Sequence, residues 1–185
     1  MDASIVIHLV ISGDEILFLR IYETVSLSDH AGKHVVLEWT NHDCPYVKKH
    51  YGADNMQAMQ REYTQNDVVW LSITSSAPGK QGYVDAAQTN ALTDSRNASP
   101  THVLFAPEGT VGKAYKAKTT PHMYIIDPEG VLQYAGAIDR IKSANPADIP
   151  KAVNYVVSGM DALGEGGAPE PALTVPYGCS IKYKS

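Results

Sequence analysis

The chain has 185 residues, of which 44% are hydrophobic and 19% are charged, and its formal net charge is −5 at pH 7. This composition is that of an ordinary globular protein and excludes an intrinsically disordered chain and a coiled coil. The negative charge argues against a nucleic-acid partner, which usually meets a basic face, and the sequence lacks the run of roughly 18 apolar residues that a membrane span needs.

The N-terminal segment is apolar but lacks the basic residues that open a signal peptide, and Asp2 stands where positive charge is wanted. We therefore expect a cytoplasmic protein as the chain stands, with a periplasmic or secreted protein as the alternative if a leader has been removed. The first predicted elements are two strands, residues 5–11 and 15–22, joined by a turn at Ser12-Gly13-Asp14.

Two short apolar runs, residues 34–39 and 68–73, have the composition of fully buried strands. The stretch between them, residues 45–65, is predicted to be helical. Pro45 suits the first helical position, because the N–H that proline lacks has no partner there. Gly52 is expected to kink or break this helix.

The second half continues the alternation of helices and strands. Residues 79–91 and 147–163 are predicted as helices, residues 101–105 as a short strand and residues 111–115 as a helical turn.

A hairpin is predicted for residues 122–127 and 131–135, because Asp127-Pro128-Glu129-Gly130 between them is a strong turn signal. Strands that alternate with helices and close on a hairpin favour an α/β fold with three layers, in which helices flank a central sheet.

The segment 164–171 is rich in glycine and proline and is interpreted as a linker. We therefore predict one domain over residues 1–163, followed by a linker and C-terminal tail, residues 164–185, which carries Cys179. A chain of this length can bury a core without disulfides. The two cysteines are too few for a disulfide scaffold and are either buried hydrophobes, a structural bridge or a redox pair.

Cys44 is the first candidate for chemistry, because it lies between a predicted buried strand and the helix that begins at Pro45. A helix N-terminus carries about half a positive charge and unpaired N–H groups, which stabilise a thiolate. Lys48, Lys49 and His42 would lower the pKa of this thiol further, which makes a cysteine nucleophilic near neutral pH. The alternative is an inert buried cysteine, but the order strand, cysteine, proline, helix favours the nucleophile.

Glu38 and Cys179 are the candidates to assist Cys44. Glu38 lies in an otherwise apolar strand, so it is either exposed at an edge or buried, where it would exchange a proton with the cysteine. A flexible tail would bring Cys179 to Cys44, since the entropy of closing a long loop grows slowly with its length. The alternative for Cys179 is an unpaired surface thiol.

The cluster of His42, Asp43, Cys44 and His50 contains side chains that bind metals, but its spacing matches no zinc ribbon or finger and no second thiol is near. We therefore predict no metal site and no cofactor.

The chain resembles the thioredoxin-like redoxin family, the group described as alkyl hydroperoxide reductase/thiol-specific antioxidant-like and related to the peroxiredoxins. The segments that carry the resemblance are VVLEWTNHDCPYVKKHY, VVWLSI, KTTPHMYIIDPEGVLQYAGAID and PYGCSIKY. It runs from about Val25 to the C-terminus. It implies a thioredoxin-like fold: a central mixed sheet flanked by helices, with the active cysteine at the start of the helix that follows a strand.

The resemblance also implies roles for single residues. Cys44 matches the attacking cysteine and Pro45 the proline that follows it. Pro121 matches a proline with a cis peptide bond, which the base rate of a few per cent for X-Pro bonds would not suggest. Thr120 before it would offer backbone hydrogen bonds to a bound partner.

The remaining matches lie in the strand before the cysteine. Glu38 falls where the thioredoxin group keeps a buried acid, and Trp39 and Asn41 belong to the WTN signature of the family.

Two departures from the family pattern bear on activity. Val47 stands where thioredoxins have their second cysteine, so the CxxC dithiol is absent. Asn41 and Leu37 stand where peroxiredoxins carry a threonine and a proline ahead of the attacking cysteine, and Thr40 is one position off. The residues that activate a peroxide are therefore altered. The N-terminal segment also matches the family poorly.

We predict a thiol-dependent oxidoreductase in which the Cys44 thiolate attacks a peroxide oxygen or a disulfide sulfur, and Cys179 resolves the product as a disulfide. Asn41, Thr40 and the first N–H groups of the helix would stabilise the transition state. Glu38 would manage protons, and a dithiol reductant such as a thioredoxin would restore the enzyme.

Two alternatives stay open. One is thiol–disulfide exchange with protein substrates on the Thr120-Pro121 platform. The other is a non-catalytic thioredoxin-like redox sensor or binding module, which the absence of CxxC allows. The sequence predicts no oligomeric state.

Overall fold

The computed structural model describes residues 7–10 and 22–184. Within them the central sheet has seven strands in the order β2-β1-β5-β4-β3-β7-β8, and a separate pair is formed by β6 and β9. The strands are Ile7–Val10 (β1), Tyr22–Val25 (β2), Val35–Trp39 (β3), Val69–Thr74 (β4), His102–Phe105 (β5), Thr119–Thr120 (β6), His122–Ile126 (β7), Leu132–Gly136 (β8) and Cys179–Ser180 (β9).

Five α-helices accompany these strands in the described residues: Pro45–Gly52 (α1), Asn55–Gln65 (α2), Ala86–Ser95 (α3), Thr110–Ala114 (α4) and Tyr155–Gly164 (α5). None of the helices described here is both long enough and apolar enough to cross a membrane.

The sheet is mixed. Strand β4 runs parallel to both of its neighbours, β3 and β5, whereas β7 is antiparallel to β3 and to β8. Side chains alternate along β3, so that Val36 lies in one core cluster and Val35 in the other. The first cluster includes Met56 of α2 and Met160 of α5, and the second includes Ile181 of the C-terminal segment. The predicted three-layer α/β/α architecture is confirmed.

The predicted elements around the sheet centre are present with small shifts at their ends. The break predicted at Gly52 is confirmed: α1 ends there and α2 begins at Asn55. Asp54 between the helices has a left-handed φ of 56°, which turns the chain. The hairpin predicted on either side of residues 127–130 is formed by β7 and β8.

Two predicted helices begin later than expected. The one predicted for residues 79–91 is Ala86–Ser95, because Asp85 and Gln88 form a reciprocal capping box at that point. The one predicted for residues 147–163 is a short 3₁₀ helix followed by the α-helix Tyr155–Gly164. The α-helix begins there because the side chain of Asn154 accepts hydrogen bonds from its first backbone N–H groups.

The N-terminal predictions are only partly within the described residues. Residues 7–10 of the first predicted strand form β1. The turn at Ser12-Gly13-Asp14 and all of the second predicted strand except Tyr22 lie outside the described residues.

The C-terminal tail returns along the sheet after α5. Thr174 donates its N–H to the carbonyl of Ala135 in β8 across 3.1 Å. Further along, Cys179 and Ser180 pair antiparallel with Thr120 and Thr119. The described part of the tail is therefore held against the sheet domain, and the expectation that it is flexible is not supported by these contacts. The division at residue 163 stays a prediction.

Candidate active site

Cys44 occupies the N-cap position of α1 and has no exposed surface. Cys44 lies in a tight turn that connects the end of β3 to α1. The N–H of Asp43 donates to the side-chain oxygen of Asn41 across 2.9 Å, and the N–H of Cys44 donates to the carbonyl of Asn41 across 3.1 Å. Pro45 follows as the first residue of the helix and is exposed. The predicted order of strand, cysteine, proline and helix is confirmed.

The second side of the site is the loop that enters β7. The Thr120–Pro121 peptide bond is cis, as the resemblance implies. The thiol of Cys44 donates a hydrogen bond to the carbonyl oxygen of Thr120 across 3.0 Å. The predicted nucleophile and the predicted platform residue are therefore in direct contact.

Cys179 completes the site from the tail. It lies opposite Thr120 in the β6–β9 pair, and its backbone N–H donates to the sulfur of Cys44 across 3.4 Å. Both cysteines are free thiols in this structure. The tail therefore places Cys179 beside Cys44, with both thiols unpaired.

The two thiols differ in acidity. Burial favours the neutral form of Cys44, but hydrogen bonds from the Cys179 thiol and from the backbone N–H groups of Val47 and Cys179 outweigh it, so the pKa of Cys44 lies below its ordinary value. Burial, with the neighbouring Cys44, raises the pKa of Cys179 to about 11. Cys44 is therefore the more acidic of the two thiols and loses its proton at a lower pH than Cys179 does.

Gly178 shapes the contact between the tail and the platform. Its φ is +141°, and a Cβ atom built on it would lie 2.0 Å from the carbonyl oxygen of Thr120. Any other residue would therefore push the tail away from the carbonyl that accepts the Cys44 thiol.

Two other residues of the turn carry buried polar atoms without a hydrogen-bond partner among the described residues: Oγ1 of Thr40 and Nδ2 of Asn41. Asn41 itself is 1% exposed and lies against Gly82. A free hydroxyl and a free amide N–H ahead of the cysteine are groups that can bind a substrate oxygen.

Glu38 is fully buried. Its carboxylate accepts hydrogen bonds from four side chains, at distances between 2.8 and 3.2 Å, which are those of Tyr51, Gln60, Trp70 and Ser72. Burial, followed by the nearby Glu38 carboxylate, raises the pKa of Tyr51 well above its ordinary value, so this hydroxyl stays a donor. None of the hydrogen bonds described for Glu38 reaches Cys44.

Lys49 also differs from expectation. Its ammonium group lies 2.9 Å from the carboxylate of Asp139, and its side chain is completely buried. The Lys49 ammonium group is therefore paired with Asp139. Hydrogen bonds, rather than Lys49, lower the pKa of Cys44.

Sequence reasoning missed three residues near Cys179 in the fold: Gly178, Tyr177 and Asp139, whose carboxylate accepts the Tyr177 hydroxyl. Gly178 directly precedes the second cysteine, which is a local signal for a close approach of the backbone. The buried partnership of Asp139 with Lys49 spans 90 positions and leaves no local signal. In residues 22–184, no three His, Cys, Asp or Glu side chains gather in a way that would hold a metal ion.

Comparisons with known proteins agree with this geometry. The sequence profile described as the AhpC/TSA family matches residues 18–135, which is more than half of the chain. A search of curated proteins finds no match.

Among solved structures, an uncharacterised conserved protein from Geobacillus kaustophilus is similar with a TM-score of 0.80 and 24% identity, over 99% of this chain and 90% of that one. A hypothetical protein from Sinorhizobium meliloti 1021 has a TM-score of 0.73 and 19% identity, over 89% and 87%. StoA from Bacillus subtilis has a TM-score of 0.52 and 15% identity, over 73% and 87%. At these identities the likeness concerns the fold, which is thioredoxin-like.

Proposed function

The chain belongs to the AhpC/TSA family, and we propose that it is a thiol-dependent oxidoreductase whose redox pair is Cys44 and Cys179. The family places it among thioredoxin-like redox proteins. The choice of these two residues and of their roles is our proposal. The observation that carries it is the position of Cys179, whose N–H lies 3.4 Å from the Cys44 sulfur.

Cys44 serves as the attacking residue because its pKa is lowered whereas that of Cys179 is raised. The attacking species in thiol chemistry is the thiolate. With a peroxide, the Cys44 thiolate takes one oxygen and becomes a sulfenic acid, and the other oxygen leaves as an alkoxide or hydroxide that is protonated to an alcohol or water. With a disulfide, Cys44 forms a mixed disulfide and releases one thiolate.

Cys179 completes either reaction. Its sulfur attacks the sulfur of Cys44, the two cysteines form a disulfide, and the leaving group is water in the first case and a thiolate in the second. An external dithiol, of which a thioredoxin is the expected kind, then reduces the bridge and is itself oxidised to a disulfide. One oxidant and one dithiol are consumed in each turnover.

The partner-free groups of Thr40 and Asn41 support a role in binding the oxidant. Donors of this kind can stabilise the charge that develops on a departing oxygen. No described hydrogen bond joins Glu38 to Cys44, and its bonds to four side chains support a role in holding β3 to α1, α2 and β4.

The occupied platform favours small oxidants over protein disulfides. Strand β9 pairs with β6 at Thr119 and Thr120, where the resemblance implies that a partner's backbone would bind. Cys44 is fully buried beneath this arrangement. A protein substrate would have to displace the tail, whereas a hydroperoxide or a small disulfide needs only a brief opening.

The test is to oxidise the reduced protein with one equivalent of hydrogen peroxide or, separately, of glutathione disulfide, and to map the products by mass spectrometry. We expect a Cys44–Cys179 bridge that a thioredoxin system reduces repeatedly. Cys44→Ser should abolish oxidant consumption, and Cys179→Ser should stop at a sulfenic acid or a mixed disulfide on Cys44.

Other outcomes distinguish the alternatives. If Cys44 remains fully alkylatable after both oxidants, the proposed function is wrong. A bridge that forms once but supports no turnover favours a redox sensor. If Cys179→Ser captures proteins in mixed disulfides while neither small oxidant is consumed, exchange with protein substrates is the function.

A further inference from the structure

A buried polar cluster lies beneath the tail, next to the redox pair but outside it. Lys49 of α1 and Asp139 after β8 form an ion pair of 2.9 Å, with side chains that are 0% and 3% exposed. The hydroxyl of Tyr177, in the tail, donates to the other oxygen of the Asp139 carboxylate. The N–H of Ile141 donates to that same oxygen across 2.8 Å.

The charges in this cluster balance. His50 lies 3.7 Å from Asp139, but burial, assisted by Lys49, lowers the pKa of His50 to about 4, so that this ring is neutral near pH 7. Burial, followed by the bond to Asp139, raises the pKa of Tyr177 well above its ordinary value, so its hydroxyl keeps the proton that it donates. One cation faces one anion, and each carboxylate oxygen has a donor.

Stability alone does not explain this cluster, because a buried ion pair often adds little to the free energy of folding. Apolar residues of similar volume would fill the same space. What the pair provides is a fixed, directional acceptor for Tyr177. Hydrogen bonds to a charged group are stronger and more sharply oriented than those between neutral groups.

Tyr177 is separated from Cys179 by a single residue. Two residues span at most about 7 Å of chain, so anchoring the tyrosine hydroxyl leaves the thiol little room. Gly178 between them packs closely against the carbonyl oxygen of Thr120. The same oxygen accepts the hydrogen bond from the Cys44 thiol. The tail is therefore bound to Asp139 through Tyr177, two positions before the residue that contacts the Cys44 sulfur.

We propose that Tyr177 is a positioning residue for Cys179: its hydroxyl, held by the Asp139 carboxylate that Lys49 neutralises, keeps the resolving thiol beside Cys44. This inference rests on the proposed function and extends it by naming the contact that sets the effective concentration of the second cysteine. Tyr177 touches neither sulfur in any described hydrogen bond and acts through the tail.

A second tyrosine provides the matched control. The hydroxyl of Tyr134 donates to the carbonyl of Ala137 and lies 2.6 Å from Oγ1 of Thr174, which is also in the tail. Tyr134 and Tyr177 are both buried. Changing either to phenylalanine removes one hydroxyl that binds the tail, but only that of Tyr177 lies next to Cys179.

The experiment measures the equilibrium in which the reduced protein and glutathione disulfide give the Cys44–Cys179 bridge and two glutathione molecules. The equilibrium constant reports the effective concentration of one thiol at the other. Removing a hydrogen bond to a charged group should lower this constant about tenfold or more in Tyr177→Phe. Tyr134→Phe should stay within about twofold of the wild type, because the hydroxyl of Tyr134 binds the tail at Thr174, five positions before Cys179. Thermal unfolding of both variants verifies that each is folded.

Asp139→Ala is the second variant, with the double variant Tyr177→Phe/Asp139→Ala beside it. If the tyrosine works through the carboxylate, the double variant should bridge no less readily than Asp139→Ala alone. Should Asp139→Ala fail to fold, the comparison of the two tyrosine variants still decides the question.

The inference is overturned if Tyr177→Phe matches the wild type or Tyr134→Phe while the wild type forms the bridge. In that case the proposed function stands. If the wild type forms no bridge although Cys44 is oxidised, the two-cysteine function and this inference both fail.

Discussion

The backbone N–H of Cys179 donates a hydrogen bond to the sulfur of Cys44 across 3.4 Å, although 135 positions separate the two residues in the sequence. The bond contributes to the lowered pKa of Cys44. In the function proposed above, activation of Cys44 and resolution of its product would therefore depend on the same segment of chain. Substitutions in this segment should therefore change the pKa of Cys44 and the formation of the disulfide together.

The pKa of Cys44 should depend on a donor at position 179. The thiol of Cys179 is the largest of the hydrogen-bond contributions that lower the pKa of Cys44. Cys179→Ala removes this donor and should raise that pKa, so the rate of reaction with a small alkylating reagent should reach its plateau at a higher pH. Cys179→Ser keeps a hydroxyl donor and should retain most of the lowering. The measurement is the pH dependence of the thiolate absorbance of Cys44. Identical titrations of the two variants would show that the side chain at position 179 plays no part.

Glu38→Gln should reduce stability and leave the pH dependence of Cys44 unchanged. The carboxylate accepts from four donors, including Trp70 and Ser72, and an amide presents its own N–H groups to some of them. A buried donor left without an acceptor costs about 1–3 kcal/mol. Denaturant unfolding measures this loss, and Glu62→Gln, at an exposed position of α2, provides the control. A shift in the pH profile of Cys44 oxidation in Glu38→Gln alone would instead assign the proton-transfer role that the sequence suggests.

The surroundings of Cys44 were predictable because their signals are local. The apolar run that forms β3, the proline at the first position of α1 and the glycine that ends it are all read from short windows. The cis bond at Pro121 followed from the resemblance, since base rates for X-Pro bonds argue against it.

The rest of the site depends on contacts that no short window contains. The tail is rich in glycine and proline at its start, and that composition predicts a flexible segment. Its actual path is determined by partners such as Thr119 and Asp139, which are distant in sequence. Burial of Lys49 was equally unpredictable, because a lysine on a short helix is normally exposed and becomes buried only when its partner is present.

Gly178→Ala should separate the tail from the platform. The added Cβ would lie 2.0 Å from the carbonyl oxygen of Thr120, and the φ of +141° disfavours a side chain in any case. We expect faster alkylation of Cys44 and slower formation of the Cys44–Cys179 bridge. Gly166→Ala is the control, since its φ is also positive, at +77°, but a Cβ there meets no heavy atom within 4 Å. If Gly178→Ala protects Cys44 as well as the wild type does, the close approach of the tail does not control access to the nucleophile.

Lys49→Met should be the most destabilising of these single substitutions. It leaves the Asp139 carboxylate buried without a counter-charge, and breaking a buried ion pair in this way typically costs about 3–5 kcal/mol. The matched control is Lys48→Met on the exposed side of the same helix, which should change the unfolding free energy little. Lys49→Met/Asp139→Asn removes both charges, keeps an acceptor for Tyr177, and should recover part of the lost stability. Equal unfolding free energies for Lys49→Met and Lys48→Met, measured in denaturant, would mean that the ion pair with Asp139 contributes nothing to the folded state.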